Sequence, residues 1–123
     1  MSCILIVEDD LPVREVVSDA LIDAGYAVAK AVDGADALDQ LREHPADAIL
    51  LDLGLPVMDG WTLLDAIHHD EALERIPVGI MSAAPALRRA AQAQGVHVTV
   101  GKPFGLDELL ARVESLLAEV PSH

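Results

Sequence analysis

Aromatic residues are nearly missing from this chain: Tyr26, Trp61 and Phe104 are the only ones among 123 residues. Rings therefore cannot fill the core. Val, Leu, Ile and Ala must do so, and a hydrophobic content of 52% supplies enough of them for one domain of ordinary size. Positive charge is also scarce, eight Lys plus Arg against 21 Asp plus Glu, for a net charge of −13. A surface of that sign repels phosphate backbones and anionic bilayers, so neither nucleic acid nor membrane is an expected partner. The single cysteine, Cys3, excludes an internal disulfide, and its place beside Ile4-Leu5-Ile6-Val7 suits a buried small hydrophobe. No apolar run reaches the roughly 20 residues of a membrane span. The first run stops at Glu8-Asp9-Asp10, unlike a secretory signal, so the expected location is the cytoplasm.

The apolar residues form two kinds of segment in alternation. Short β-rich runs lie at Ile4–Val7, Ala27–Ala31, Ala48–Leu51, Val78–Met81 and Val96–Val100. Several of these are continuous rather than alternating, the mark of strands buried on both faces. Between them, Val13, Val16, Val17, Ala20, Leu21 and Ala24 keep a helical period, with Pro12 suited to a first turn, Asp10 to its cap and Gly25 to its stop. Ala37, Leu38 and Leu41 predict a second helix ending before Pro45, and Leu63, Leu64 and Ile67 a third. Leu87, Ala90 and Ala91 predict a fourth with only thin apolar cover, and Leu106 to Val120 the fifth and strongest. An order βαβαβαβαβα implies a parallel sheet covered by helices on both faces. The expected organisation is one domain over residues 1–123 with no output domain after it.

Polar residues collect where the strands end. Glu8 and Asp9 follow the first strand, Asp52 ends the third, Ser82 ends the fourth and Lys102 comes just after the fifth. In a parallel sheet these positions share one edge, where open α/β folds bind ligands. Carboxylates crowded together resist ionisation unless a cation compensates them, and a hard divalent ion such as Mg²⁺ accepts carboxylates together with phosphate oxygens. Lys102 adds a point charge suited to phosphate, and Ser82 a hydroxyl. A carboxylate, a cation site and two phosphate-binding groups fit formation of an aspartyl phosphate. Other clusters read as ordinary surface or packing. Asp59-Gly60 is a turn signal, His68-His69 diverge on a helix rather than forming a metal pair, and Trp61 is a packing residue.

These residues resemble the receiver domains of bacterial response regulators. The markers are Ile6-Val7-Glu8-Asp9-Asp10, Leu51-Asp52 through Asp59-Gly60, Met81-Ser82-Ala83-Ala84 and Gly101-Lys102-Pro103-Phe104, in order along the chain. The resemblance implies a flavodoxin-like, doubly wound α/β fold with five helices around a five-stranded parallel sheet of order 2-1-3-4-5. It implies Asp52 as phospho-acceptor and Lys102 and Ser82 as partners of the phosphoryl group. Asp9, Asp52 and the Gly54 carbonyl would hold Mg²⁺ or Mn²⁺, with Glu8 acting through water. The Lys102–Pro103 peptide is usually cis in this family. Implied partners are a sensor histidine kinase or histidine phosphotransfer protein and a downstream protein target, for a monomer or weak dimer that is a signalling switch rather than an enzyme.

One position departs from that pattern. Receivers usually carry Tyr or Phe three residues before the lysine, and here Thr99 stands there. The usual inward swing of that aromatic is therefore not expected, and movement of the fourth helix with Arg88 and Arg89 as a unit is expected in its place. Gly54 and Ala84 offer no side chain able to activate water, so slow loss of the phosphoryl group is expected unless a partner assists. Two competing readings are an aspartyl-nucleophile phosphatase and a degenerate receiver that binds partners without phosphorylation. The first needs a general acid where Gly54 stands; the second draws on Thr99.

Overall fold

The five apolar runs become five parallel strands because each is bounded by polar or turn residues and is too short for a helix. In the computed structural model, which describes residues 2–53, 60–96, 98–102 and 104–118, they are β1 (Cys3–Val7), β2 (Ala27–Ala31), β3 (Ala48–Asp52), β4 (Val78–Ser82) and β5 (Val98–Gly101). Helices α1 (Leu11–Asp23), α2 (Gly34–Glu43), α3 (Gly60–His68), α4 (Pro85–Ala93) and α5 (Leu106–Leu117) alternate with them. The strand order is β2-β1-β3-β4-β5, all parallel, as expected of a flavodoxin-like sheet. None of the described helices is long and apolar enough to cross a membrane.

Side-chain alternation along each strand divides the core into two layers. Leu5, Val7, Ile49, Leu51 and Ile80 meet Ala37, Leu41, Leu63, Leu64, Ile67 and Ala91 from α2, α3 and α4. Ile4, Ile6, Leu50, Val98 and Val100 face the other way, against Val17 and Leu21 of α1 and Leu109, Val113 and Leu116 of α5. Trp61 lies half-buried against the first layer, in the packing role expected of it. α4 is the thinnest cover, with Ala91 its one buried residue. Cys3 is half-buried rather than fully enclosed, since it opens the edge of β1.

Local signals set the helix ends. Asp10 caps α1 by accepting the Val13 N–H at 3.3 Å, and Pro12 sits in the first turn where a missing N–H costs nothing. The fifth strand starts two residues later than the apolar run suggested. Val96 is buried, but its N–H bonds the Ala91 carbonyl after Gly95, whose φ of +93° turns the chain out of α4. It thus closes a helix end instead of opening a strand. Val120 and the Lys102–Pro103 peptide lie outside the described residues.

Candidate functional site

The chain runs from β1 to one side of the sheet and returns to β3 on the other, which leaves a crevice beyond the carboxyl ends of these two strands. Glu8 and Asp9 leave β1 there and Asp52 closes β3. One carboxylate oxygen from each of the three lies within 4.8 Å of the others. Ser82 and Lys102 reach the same edge, because Asp52 pairs with Met81 and Ser82 with Gly101 across the neighbouring strands. The sequence-based set Glu8, Asp9, Asp52, Ser82 and Lys102 is therefore assembled at one edge. Gly54, expected to lend its carbonyl, lies outside the described residues.

Lys102 spans two carboxylates. Its Nζ stands 2.5 Å from Glu8 Oε1 and 3.4 Å from Asp52 Oδ2. Glu8 is wholly buried, while Asp9 is exposed at the rim. The second Glu8 oxygen, Oε2, is buried with no hydrogen-bond partner. A buried carboxylate oxygen left bare is costly, and together with two more carboxylates it suits a hard cation. The residues present thus fit Mg²⁺ or Mn²⁺.

Burial, and then the nearby Asp52 carboxylate, push the Glu8 carboxyl from 4.5 up to about 8, against the opposing pull of Lys102. Burial alone would lower the Lys102 ammonium, but its bond to Glu8 and the charge of both carboxylates outweigh that, and the net direction is upward. The Glu8 shift has a consequence for stability. A carboxyl raised on folding keeps a proton that the unfolded chain releases earlier, so stability is full below pH 4.5 and falls as pH rises through 8. In metal-free protein, Glu8→Gln is expected to melt higher than wild type above pH 8, with the gap closing toward pH 4.5. Melting curves in chelator across that range check this; a variant less stable than wild type at the alkaline end contradicts it.

Two cations that brace the site were not foreseen as contacts. Arg14 Nη1 donates to the Glu8 carbonyl at 2.8 Å, and Arg88 Nη1 to the Ser82 carbonyl at 2.7 Å. Both residues were visible on helices, but no spacing rule ties a helix arginine to a strand-end carbonyl. Ser82 is buried, and its Oγ accepts the Ala84 N–H at 3.1 Å. The histidines at the end of α3 form no cluster: His69 Nδ1 contacts its own helix at Asp65 and is exposed.

Comparison with known proteins gives a consistent picture. The profile of the response regulator receiver domain matches residues 4–114. The transcriptional regulatory protein PrrA of Mycobacterium tuberculosis is 39% identical over 93% of this chain and 49% of its own length. The DNA-binding dual master transcriptional regulator RpaA of Synechocystis is 38% identical over 95% of this chain and 49% of its own. A sensor histidine kinase, TmoS of Ectopseudomonas mendocina, is 37% identical over 94% of this chain and 12% of its own. This chain thus spans about half the length of the regulators it matches. Among solved structures, the chemotaxis protein CheY4 of Vibrio cholerae superposes with a TM-score of 0.87 at 30% identity, covering 94% of this chain and 98% of CheY4. The expectation that nucleic acid is no partner finds no support among these relatives, since the name of RpaA describes it as DNA-binding. The net charge of −13 belongs to this domain alone.

Proposed function

Since the chain belongs to the response regulator receiver domain family, whose members are signalling switches, we propose that Asp52 accepts a phosphoryl group from a phosphohistidine of a sensor kinase or phosphotransfer protein. A carboxylate oxygen of Asp52 attacks phosphorus as the phosphorus–nitrogen bond breaks, and the imidazole leaves with its electron pair and takes up a proton. The observation that carries this reading is the Lys102 ammonium held between Glu8 and Asp52 beside a buried, unpartnered Glu8 oxygen. Asp9, Asp52 and the Gly54 carbonyl would hold Mg²⁺ or Mn²⁺, with Glu8 behind a water. The ion would neutralise charge on the phosphoryl oxygens. In this reading Lys102, which contacts Asp52, would pair with the phosphoryl group, and the Ser82 hydroxyl would turn toward it from its bond with Ala84.

A donor protein also has a surface to approach. An apolar groove of about 450 Å³ borders the site, lined by Pro12, Val13, Val16, Val17, Ala83 and Phe104, with Lys102 at its end. Half-buried Ala84 brings no group that activates water, in keeping with slow loss of the phosphoryl group.

The test is incubation with acetyl phosphate in Mg²⁺ or in chelator, read by intact mass. One added phosphoryl group per chain, present only with Mg²⁺, is the expected result. No adduct under conditions where Mg²⁺ binding is measured independently would instead favour a partner-binding domain that works without phosphorylation.

A further inference from the structure

The Ser82 carbonyl accepts two hydrogen bonds, one from the Lys102 N–H at 3.0 Å and one from Arg88 Nη1 at 2.7 Å. The second crosses from α4 to the end of β4. It is charge-assisted and half-buried, and so stronger than a neutral bond at the surface. Val98 and Val100 point into the layer beneath α1 and α5, so the alternate residues Thr99 and Gly101 face α4. Gly101 makes room for the guanidinium: a Cβ placed there would stand 3.1 Å from Arg88 Nη1 and 3.2 Å from Cζ. The Ser82 hydroxyl, in turn, accepts the N–H of Ala84, the residue that caps α4. Both oxygens of Ser82 are therefore tied to the start of α4. That helix is otherwise weakly held, with no side-chain cap and only Ala91 buried.

We propose that Arg88 is the positioning residue that couples Ser82 to α4: its guanidinium, seated over Gly101 on the Ser82 carbonyl, carries a shift of Ser82 into a shift of the helix. This rests on the phospho-acceptor reading of Asp52. When the Ser82 hydroxyl turns toward a phosphoryl oxygen it gives up the Ala84 N–H, and the Arg88 bond becomes the remaining tie through which α4 follows. Thr99 carries no aromatic ring over β5, and the Arg88 guanidinium sits against Gly101, two residues beyond it. A helix with so few buried side chains has a low barrier to such a shift, and coupling needs only two arrangements that the site biases differently.

The experiment is NMR of the full chain with Mg²⁺, before and after adding beryllofluoride as the phosphoryl mimic. In wild type, amide signals near residues 52, 82 and 102 shift, and those of residues 85–93 shift with them. In Arg88→Met, which keeps the aliphatic bulk and removes the donor, the site signals still shift while the α4 response is lost. Arg88→Lys, which restores a donor, recovers part of it. Gly101→Ala crowds the guanidinium while leaving Arg88 in the sequence and weakens the α4 response, so the outcome does not hang on one variant. Undiminished α4 shifts in both Arg88→Met and Gly101→Ala overturn the proposal. No shift at residues 52, 82 and 102 in wild type overturns the phospho-acceptor reading itself, and the coupling with it.

Discussion

Replacing Asp52 by asparagine is expected to abolish Mg²⁺-dependent phosphoryl uptake and, in metal-free protein, to raise the melting temperature. The first effect follows from nucleophilicity, since an amide has no carboxylate oxygen to attack phosphorus. The second follows from the crowding at the end of β1 and β3. The Asp52 charge is one of the causes that drive the Glu8 carboxyl up to about 8, so its removal lets Glu8 ionise with Lys102 as an undivided partner. Two like charges a few ångströms apart at a partly screened site repel by a few kcal/mol, and after the lost Lys102 contact a net gain of about 1 kcal/mol is expected. For a domain of this size that is about 4 °C. Intact mass after incubation with acetyl phosphate and Mg²⁺ reads the first effect, and thermal melts in chelator at pH 8 read the second. Uptake equal to wild type would place the acceptor elsewhere.

Gly60→Ala is expected to be strongly damaging for a single added methyl. Gly60 opens α3 and is buried, and a Cβ there would lie 2.7 Å from the Leu53 Cα and 3.0 Å from the Asp52 carbonyl oxygen. Both neighbours are backbone, at the end of central strand β3 and just beyond it, and backbone cannot step aside as a flexible side chain can. Overpacking of this kind costs about 2 kcal/mol or more, and here the strain falls on the residue that carries the proposed chemistry. A melting temperature lower by roughly 8 °C is expected, with phosphoryl uptake slowed because Asp52 is displaced. Gly105→Ala is the control: nothing lies within 4 Å of its Cβ position, and both melting and uptake should stay near wild type. Equal behaviour of the two variants would contradict the close approach at Gly60.

Most of this fold is legible in the chain because its strands are buried on both faces, so that Ile4–Val7 and Ala48–Leu51 read as unbroken apolar runs closed by acids. Five such runs separated by helical periods permit few topologies, and the strand-end acids mark the functional edge before any geometry is known. Val96 misled because burial alone does not separate a strand from the turn that closes a helix. Asp59-Gly60 shows the limit of dipeptide signals. Asp59 lies outside the described residues and Gly60 opens α3, where what it supplies is clearance against Leu53 and Asp52, which depends on long-range packing. Glu8 was legible as part of the acidic group but not as its buried member, since adjacent Glu8 and Asp9 look alike in sequence and only the start of α1 decides which turns inward. Arg14 and Arg88 were unreadable as contacts for the same reason: their partners are strand-end carbonyls, which every residue possesses.

The most direct measurement is to locate the phosphoryl group. Protein phosphorylated by acetyl phosphate in Mg²⁺ is reduced with borohydride, which converts an aspartyl phosphate to homoserine, and its peptides are sequenced by mass spectrometry. Homoserine at position 52, absent when chelator replaces Mg²⁺, is the result predicted here. Homoserine at Asp9, a stable phosphate on Ser82, or an unmodified chain would contradict it.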